Sequence, residues 1–153
     1  MAMVFTATVS WTGEAEAFRS GRYSRRHEWR FDGGAVVPGS SGPAVVPVPM
    51  SDPAAVDPEE ALVAAASSCH MLYFLHYAKK HGLTVTAYED EAEGVMTPNA
   101  DGKLFVSAIT LRPRIAFDGE TPSAELVEQV HHEAHLDCFI ANSIKAEVTV
   151  QSR

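Results

Sequence analysis

Cys69 and Cys138 are the only two cysteines in a chain of 153 residues. A thiolate is a nucleophile and a metal ligand, whereas a thiol with its ordinary pKa of about 8.5 is mostly protonated at neutral pH. Cys69 stands inside AAASSCHMLYFLHY, residues 64–77, the most apolar and most helix-like stretch of the chain. Three readings are open for it: a small buried side chain, a metal ligand or a nucleophile. Two cysteines in a reducing compartment are rarely a structural staple. Sequence alone does not tell whether they meet in space, but a pair that met would read first as redox or catalytic.

A reactive Cys69 needs positive charge or oriented donors beside it. It lies mid-helix, so its own helix N-terminus does not supply them. The concentrated source of cations is Arg19, Arg22, Arg25, Arg26 and Arg30, five of the twelve Lys and Arg residues. A solvated strand face is the bland explanation of that cluster. Glu59 or Glu60 could hold one arginine in a bidentate pair. Two cysteines, an arginine and a glutamate make a sensible set for reducing a peroxide. The thiolate attacks the O–O bond, the arginine offsets charge developing on oxygen, and the second thiol traps the sulfenic acid.

A competing constellation lies nearer the C-terminus. His131, His135 and Cys138 recur at i, i+4 and i+7, so they share a helix face, and imidazole with thiolate suits zinc. The spacing is not that of HExxH, and histidines in a last turn also complement the helix dipole. His70 adjoins Cys69, but neighbouring residues on a helix point about 100° apart, so it is not expected to act as a base.

These residues need elements to position them. Hydrophobic residues make up 46% and charged residues 21%, ordinary for a globular chain, and the length suits one compact domain spanning 1–153. The net charge of −8 argues against nonspecific nucleic-acid binding and against docking on anionic membranes. MAMVFTATVSWTG has neither a basic n-region nor an unbroken apolar h-region, so a cytoplasmic location is expected.

VFTATVSW, residues 4–11, alternates as a strand, and a second strand is expected near Tyr23–Phe31 before a turn at Asp32-Gly33-Gly34. Residues 38–58 carry too many prolines for a helix or central strand and read as a functional or lid-like loop. A long buried helix follows. Asp57 suits its N-cap, Pro58 its first turn, Lys79, Lys80 and His81 its last turn, and Gly82 its C′ position. Two strands, 83–96 and 103–117, should form a hairpin about TPNADGK. A second helix is expected with Thr121 as N-cap and Pro122 at N1, and NSIKAEVTVQ as a closing strand. Helices and runs of strands in this order predict an α+β fold. Tyr73, Phe74 and Tyr77 read as core or as apolar pocket lining.

VDPEEALVAAASSCHM resembles the NPEE…AACF segment that opens the central helix of the OsmC/Ohr family. HLDCFIANSIKAEVTV resembles that family's second cysteine segment, Cys-Pro-(apolar)-Ser followed by Lys and a last strand. The element order matches as well. The resemblance implies antiparallel sheets around a long buried central helix, with a second helix, in an intertwined homodimer. It implies a peroxidatic Cys69, a resolving Cys138 and a partnering Glu59. The family arginine would be Arg22, with Arg25 next to it in rank and otherwise a substrate contact. Tyr73 and Phe139 would line the substrate pocket. Phe139 replaces the family's usual proline, and His70 its usual aromatic residue.

The implied activity is reduction of organic hydroperoxides to alcohols without metal, flavin or haem. The reductant would be a lipoylated protein or a small thiol. A noncatalytic small-ligand-binding member of the same fold, with both cysteines buried, is the alternative. Helix geometry adds one constraint. Ten residues set Glu59 about 15 Å along the helix from Cys69 and roughly 80° around it, so the two cannot touch on one straight helix. Either an arginine bridges them or two chains share the site.

Overall fold

The computed structural model describes residues 2–151. The chain divides into two compact units, Met1–Ala61 and Leu62–Arg153.

In the first unit, β1 (Ala7–Ser10), β2 (His27–Phe31) and β3 (Val36–Gly39) form an antiparallel sheet in the order β1-β2-β3. The β2–β3 hairpin turns at Asp32-Gly33-Gly34, where Gly34 takes φ 89 and Phe31 N–H bonds Ala35 O at 3.0 Å. β3 begins the stretch expected to be loop. Pro38 is tolerated because β3 has a hydrogen-bonded strand on one side only within this sheet. A short helix, α1 (Ala15–Arg19), connects β1 to β2. Phe18 at its end stacks with Trp11 and Tyr23, with centroids 5.8 and 4.8 Å away.

The long proline-rich segment is pinned to this sheet. Arg25 N–H donates to Met50 O at 2.7 Å, and Asp52 N–H donates to Ser40 Oγ at 3.0 Å. Arg26 pairs with Asp52. Ser40 and Ser51 are buried here, but none of the buried hydrophobic side chains among the described residues falls before Ala66.

α2 (Pro58–Lys80) begins with a reciprocal cap. Glu60 N–H donates to Asp57 Oδ1 at 2.8 Å, and Asp57 N–H donates to Glu60 Oε2 at 3.2 Å. It ends as expected at Gly82, with φ 76. Gly82 N–H reaches Lys79 O, and Leu83 N–H reaches Ala78 O at 2.9 Å, the paired bonds of a Schellman end. Ala66, His70, Phe74 and Ala78 recur every fourth residue and are fully buried, whereas Leu72 on another face is 61% exposed. Within one chain, therefore, a single stripe of α2 is buried.

The hairpin expected over 83–117 exists but is broken into two sheets. β4 (Thr84–Asp90) pairs with β7 (Pro113–Asp118), while β5 (Glu93–Pro98) pairs with β6 (Leu104–Leu111). Asp90 joins the two breaks: its Oδ1 accepts from Arg112 N at 2.6 Å, and its Oδ2 from Ser67 Oγ at 2.5 Å. Pro113 contributes too, since it donates no ladder bond and stands first in its strand. β8 (Glu147–Val150) adds to β6 in parallel, from Ala108↔Glu147 to Leu111↔Val150. The order β5-β6-β8 thus contains a parallel pairing, while the other paired strands of this α+β fold run antiparallel.

α3 (Ala124–Asp137) starts later than expected. Ser123, not Thr121, is the N-cap, and its Oγ accepts from Leu126 N at 3.2 Å. Pro122 precedes the cap rather than following it. Two apolar clusters result. Ala66, Ile109, Leu111 and Val148 form one, and Phe74, Ala78, Val130 and Ala134 form the other. α2 contributes to both.

Candidate functional site

Cys69 lies midway along α2 and is partly exposed; Cys138 is the C-cap of α3 and is 1% exposed. The chain leaves helical geometry at Cys138, with φ −64 and ψ 107. A 3-10 turn, Ala141–Ser143, follows directly. Ala141 N–H points at Cys138 Sγ at 3.4 Å, Asn142 N–H donates to Cys138 O at 3.0 Å, and Ser143 Oγ donates to Phe139 O at 2.7 Å. This turn buries the thiol and aims it at α2.

Both cysteines are free thiols, and their side chains meet. Burial pushes the Cys138 thiol up to about 11; the Ala141 N–H opposes this, and the neighbouring Cys69 adds to it. Cys138 is therefore a neutral thiol at physiological pH.

Tyr73 and Phe139 flank the pair. Their rings meet edge to face at 5.4 Å and 88°. Burial holds the Tyr73 hydroxyl above its ordinary range, helped by Asp137, Cys69 and Cys138. Tyr77, one turn further on, donates its hydroxyl to Asp137 Oδ2. That bond, ahead of burial, holds Tyr77 above the usual tyrosine range. Tyr73 and Phe139 thus lie beside the thiol pair. Asp137 and Tyr77 belong to the same cluster, joined by a hydrogen bond that the sequence did not single out.

The other expected groups lie in the first unit. Glu59 occupies the first turn of α2 and is half-buried. Arg22 is exposed, with its backbone N–H on Ala17 O at 3.0 Å. Arg25 is half-buried, its guanidinium 3.7 Å from the Tyr23 ring centroid and its Nη1 donating to Tyr23 O at 2.6 Å. Among the described residues, no ion pair joins Glu59 to Arg22 or Arg25.

His70 and His131 form a second pair between α2 and α3. His70 Nε2 and His131 Nδ1 are 3.0 Å apart, and the rings stack at 5.3 Å and 11°. One nitrogen must donate and the other accept, so the accepting ring is uncharged. Burial, with the nearby His131 and His135, lowers His70 to about 4 against the pull of Asp90; burial alone lowers His131 to about 4. His131 is thereby committed to His70, and Cys138 to Cys69. Among the described residues, no three His, Cys, Asp or Glu side chains gather to hold a metal ion. A cavity of about 500 Å³ between β7 and α3 is walled by Ile115, Phe117, Val127 and His131; neither cysteine lines it. No described helix is long and apolar enough to cross a membrane.

Comparison with known proteins agrees with this architecture. A family model described as OsmC-like protein matches residues 51–153. A structure from Vibrio cholerae, described as an OsmC-like protein of unknown function, is 46% identical, with a TM-score of 0.96, and the match covers 99% of this chain and 100% of that one. The organic hydroperoxide resistance protein OhrB of Bacillus subtilis is 18% identical with a TM-score of 0.69, covering 97% and 98% of the two chains. An organic hydroperoxide resistance protein from Elizabethkingia anophelis is 15% identical with a TM-score of 0.69 over both whole chains. At that identity the last two share the fold. No curated protein matches the sequence. The match over residues 51–153, both cysteines included, and the close structural likeness make this chain a member of the OsmC-like protein family.

Proposed function

We propose that the protein is a thiol-dependent peroxidase that reduces organic hydroperoxides to alcohols. The observation that carries this reading is the contact between two reduced cysteines in unlike surroundings, Cys69 partly open to solvent and Cys138 buried and protonated. The Cys69 thiolate attacks the outer oxygen of ROOH. The O–O bond breaks, the alkoxide takes a proton, and ROH leaves Cys69 as a sulfenic acid. Cys138 then displaces hydroxide from that sulfur. Its own proton completes the water released, and a disulfide closes. A dithiol, from a lipoylated protein or a small molecule, returns both thiols by exchange.

Glu59 and Arg22, or Arg25, supply the polar side of the site, the cation favouring the Cys69 thiolate and the leaving oxygen. A homodimer brings these groups to the thiols. The first unit supports this, for it exposes Val4, Phe5, Phe18 and Val45 and, among its described residues, contributes no buried hydrophobic side chain. Tyr73 and Phe139 favour an alkyl hydroperoxide over hydrogen peroxide. A cytoplasmic, reducing location suits the free thiols.

Stopped-flow reduction of cumene hydroperoxide, with thiol titration before and after, tests the reading. One equivalent of peroxide should remove both thiols of the wild type. Two free thiols remaining after that addition would sink it.

A further inference from the structure

Asp137, Cys138 and Phe139 are consecutive, and each meets a different residue of α2. Tyr77 donates to Asp137, Cys69 meets Cys138, and Tyr73 packs edge-on against Phe139. The three α2 positions, 69, 73 and 77, form one i, i+4, i+8 stripe. The thiol contact is thus bracketed, by a charge-assisted hydrogen bond on one side and an aromatic contact on the other.

We propose that Tyr77 and Asp137 are positioning residues for the thiol pair, and that their hydrogen bond sets the effective concentration of the Cys138 thiol at Cys69. The need for such a device follows from where Cys138 stands. It is the C-cap of α3, with extended ψ, and it is held by one bond back to His135 O and by the turn that follows rather than by the full helix ladder. A disulfide tolerates only a narrow range of Cα separation and Cβ direction. Small rotations about the end of α3 would carry Sγ out of that range. Anchoring the preceding residue to the same α2 face removes that freedom, which is the entropic content of a high effective concentration. The phenol is a suitable anchor because, held above its usual range, it stays a donor, while Asp137 as a carboxylate is a strong acceptor.

The inference rests on the proposed function only in taking these cysteines as the working pair, and its measurement needs no peroxide. The full chain is equilibrated with oxidised and reduced glutathione. The protein dithiol and one oxidised glutathione give the protein disulfide and two reduced glutathiones, and the equilibrium constant is the effective concentration. Tyr77→Phe keeps the ring and removes the donor; it should lower the effective concentration about tenfold, as should Asp137→Ala. Asp137→Asn keeps an acceptor and should stay within about threefold of wild type, an outcome that loss of packing would not produce. Circular dichroism confirms that each variant is folded, and Asp137→Ala supplies the answer should Tyr77→Phe unfold. A folded Tyr77→Phe or Asp137→Ala with the wild-type constant overturns the inference, as does a wild type that never closes the intramolecular disulfide. A wild type that closes it in glutathione, loses that tendency in Tyr77→Phe, yet ignores cumene hydroperoxide, refutes the peroxidase reading and supports the positioning role.

Discussion

Cys69–Cys138 and His70–His131 join the same two helices, yet they are opposite kinds of site. On α2 the partners are neighbours in sequence and point about 100° apart; on α3 they lie seven residues apart. The imidazole pair faces inward beside Phe74, whose ring is 4.4 Å from His131. The thiol pair sits where α3 ends, beside Phe139, which is 61% exposed. Burial keeps the imidazoles neutral, in one contact between α2 and α3. Cys69 is partly open to solvent, while its buried partner Cys138 stays protonated. One residue's rotation around a helix separates a fully buried contact from one partly open to solvent.

Breaking the chemical side gives the largest effect. Cys69→Ser should reduce peroxide turnover by about 10⁴-fold or more, to the uncatalysed background. Equal turnover in His70→Gln and Cys69→Ser would erase the distinction between the pairs.

Acid should strain the imidazole side. Both histidines titrate near 4 when folded and near 6.5 when unfolded, so below pH 6.5 the unfolded chain binds more protons. Their stabilisation is present above pH 6.5 and is lost as pH falls towards 4, by about 3 kcal/mol for each imidazole. Urea midpoints across that window measure it. A flat profile would show that the pair does not titrate as a buried unit. The double replacement of His70 and His131 by Leu should remove this pair's share of the slope, because apolar groups leave nothing there to protonate, while Glu125 and Glu133 keep theirs.

His131→Ala should cost about 2–4 kcal/mol, from a cavity beside Phe74 and an imidazole left without its partner. The Cys69–Cys138 disulfide should still close in that variant if it remains folded. Loss of both together would mean that the two pairs work as one. Ser123→Ala removes the α3 cap and should cost about 1 kcal/mol by thermal melting, weakening the support that both pairs share. A change in the glutathione equilibrium larger than the change in stability would show that strain at one end of α3 reaches Cys138.

The sequence makes α2 legible end to end, because its signals are local. Asp57 and Glu60 cap each other across one turn, and Gly82 takes the left-handed turn that ends the helix. The hairpin turn after Phe31 is equally local. Thr121 misled because Pro122 suits both a first turn and the position before a cap. The split of the hairpin at Asp90 and Arg112 was hidden, since it depends on a carboxylate bonding a backbone N–H 22 residues away in sequence. The parallel seat of β8 against β6 is nonlocal too, whereas the strand at Val36–Gly39 is local and was obscured by Pro38, which argues against a strand interior.

For the candidate site, the amino-acid order by itself determined the chemistry: two thiols, one in a long apolar helix and one in a second segment, with Tyr73 and Phe139 beside them in the chain. The tertiary structure decided the pairings. His131 went to His70 rather than to Cys138, Tyr77 took Asp137, and the two thiols met. The physical reason is that helix periodicity is written every few residues, whereas the contacts of α2 with α3 span about sixty residues and are chosen by burial and hydrogen bonding.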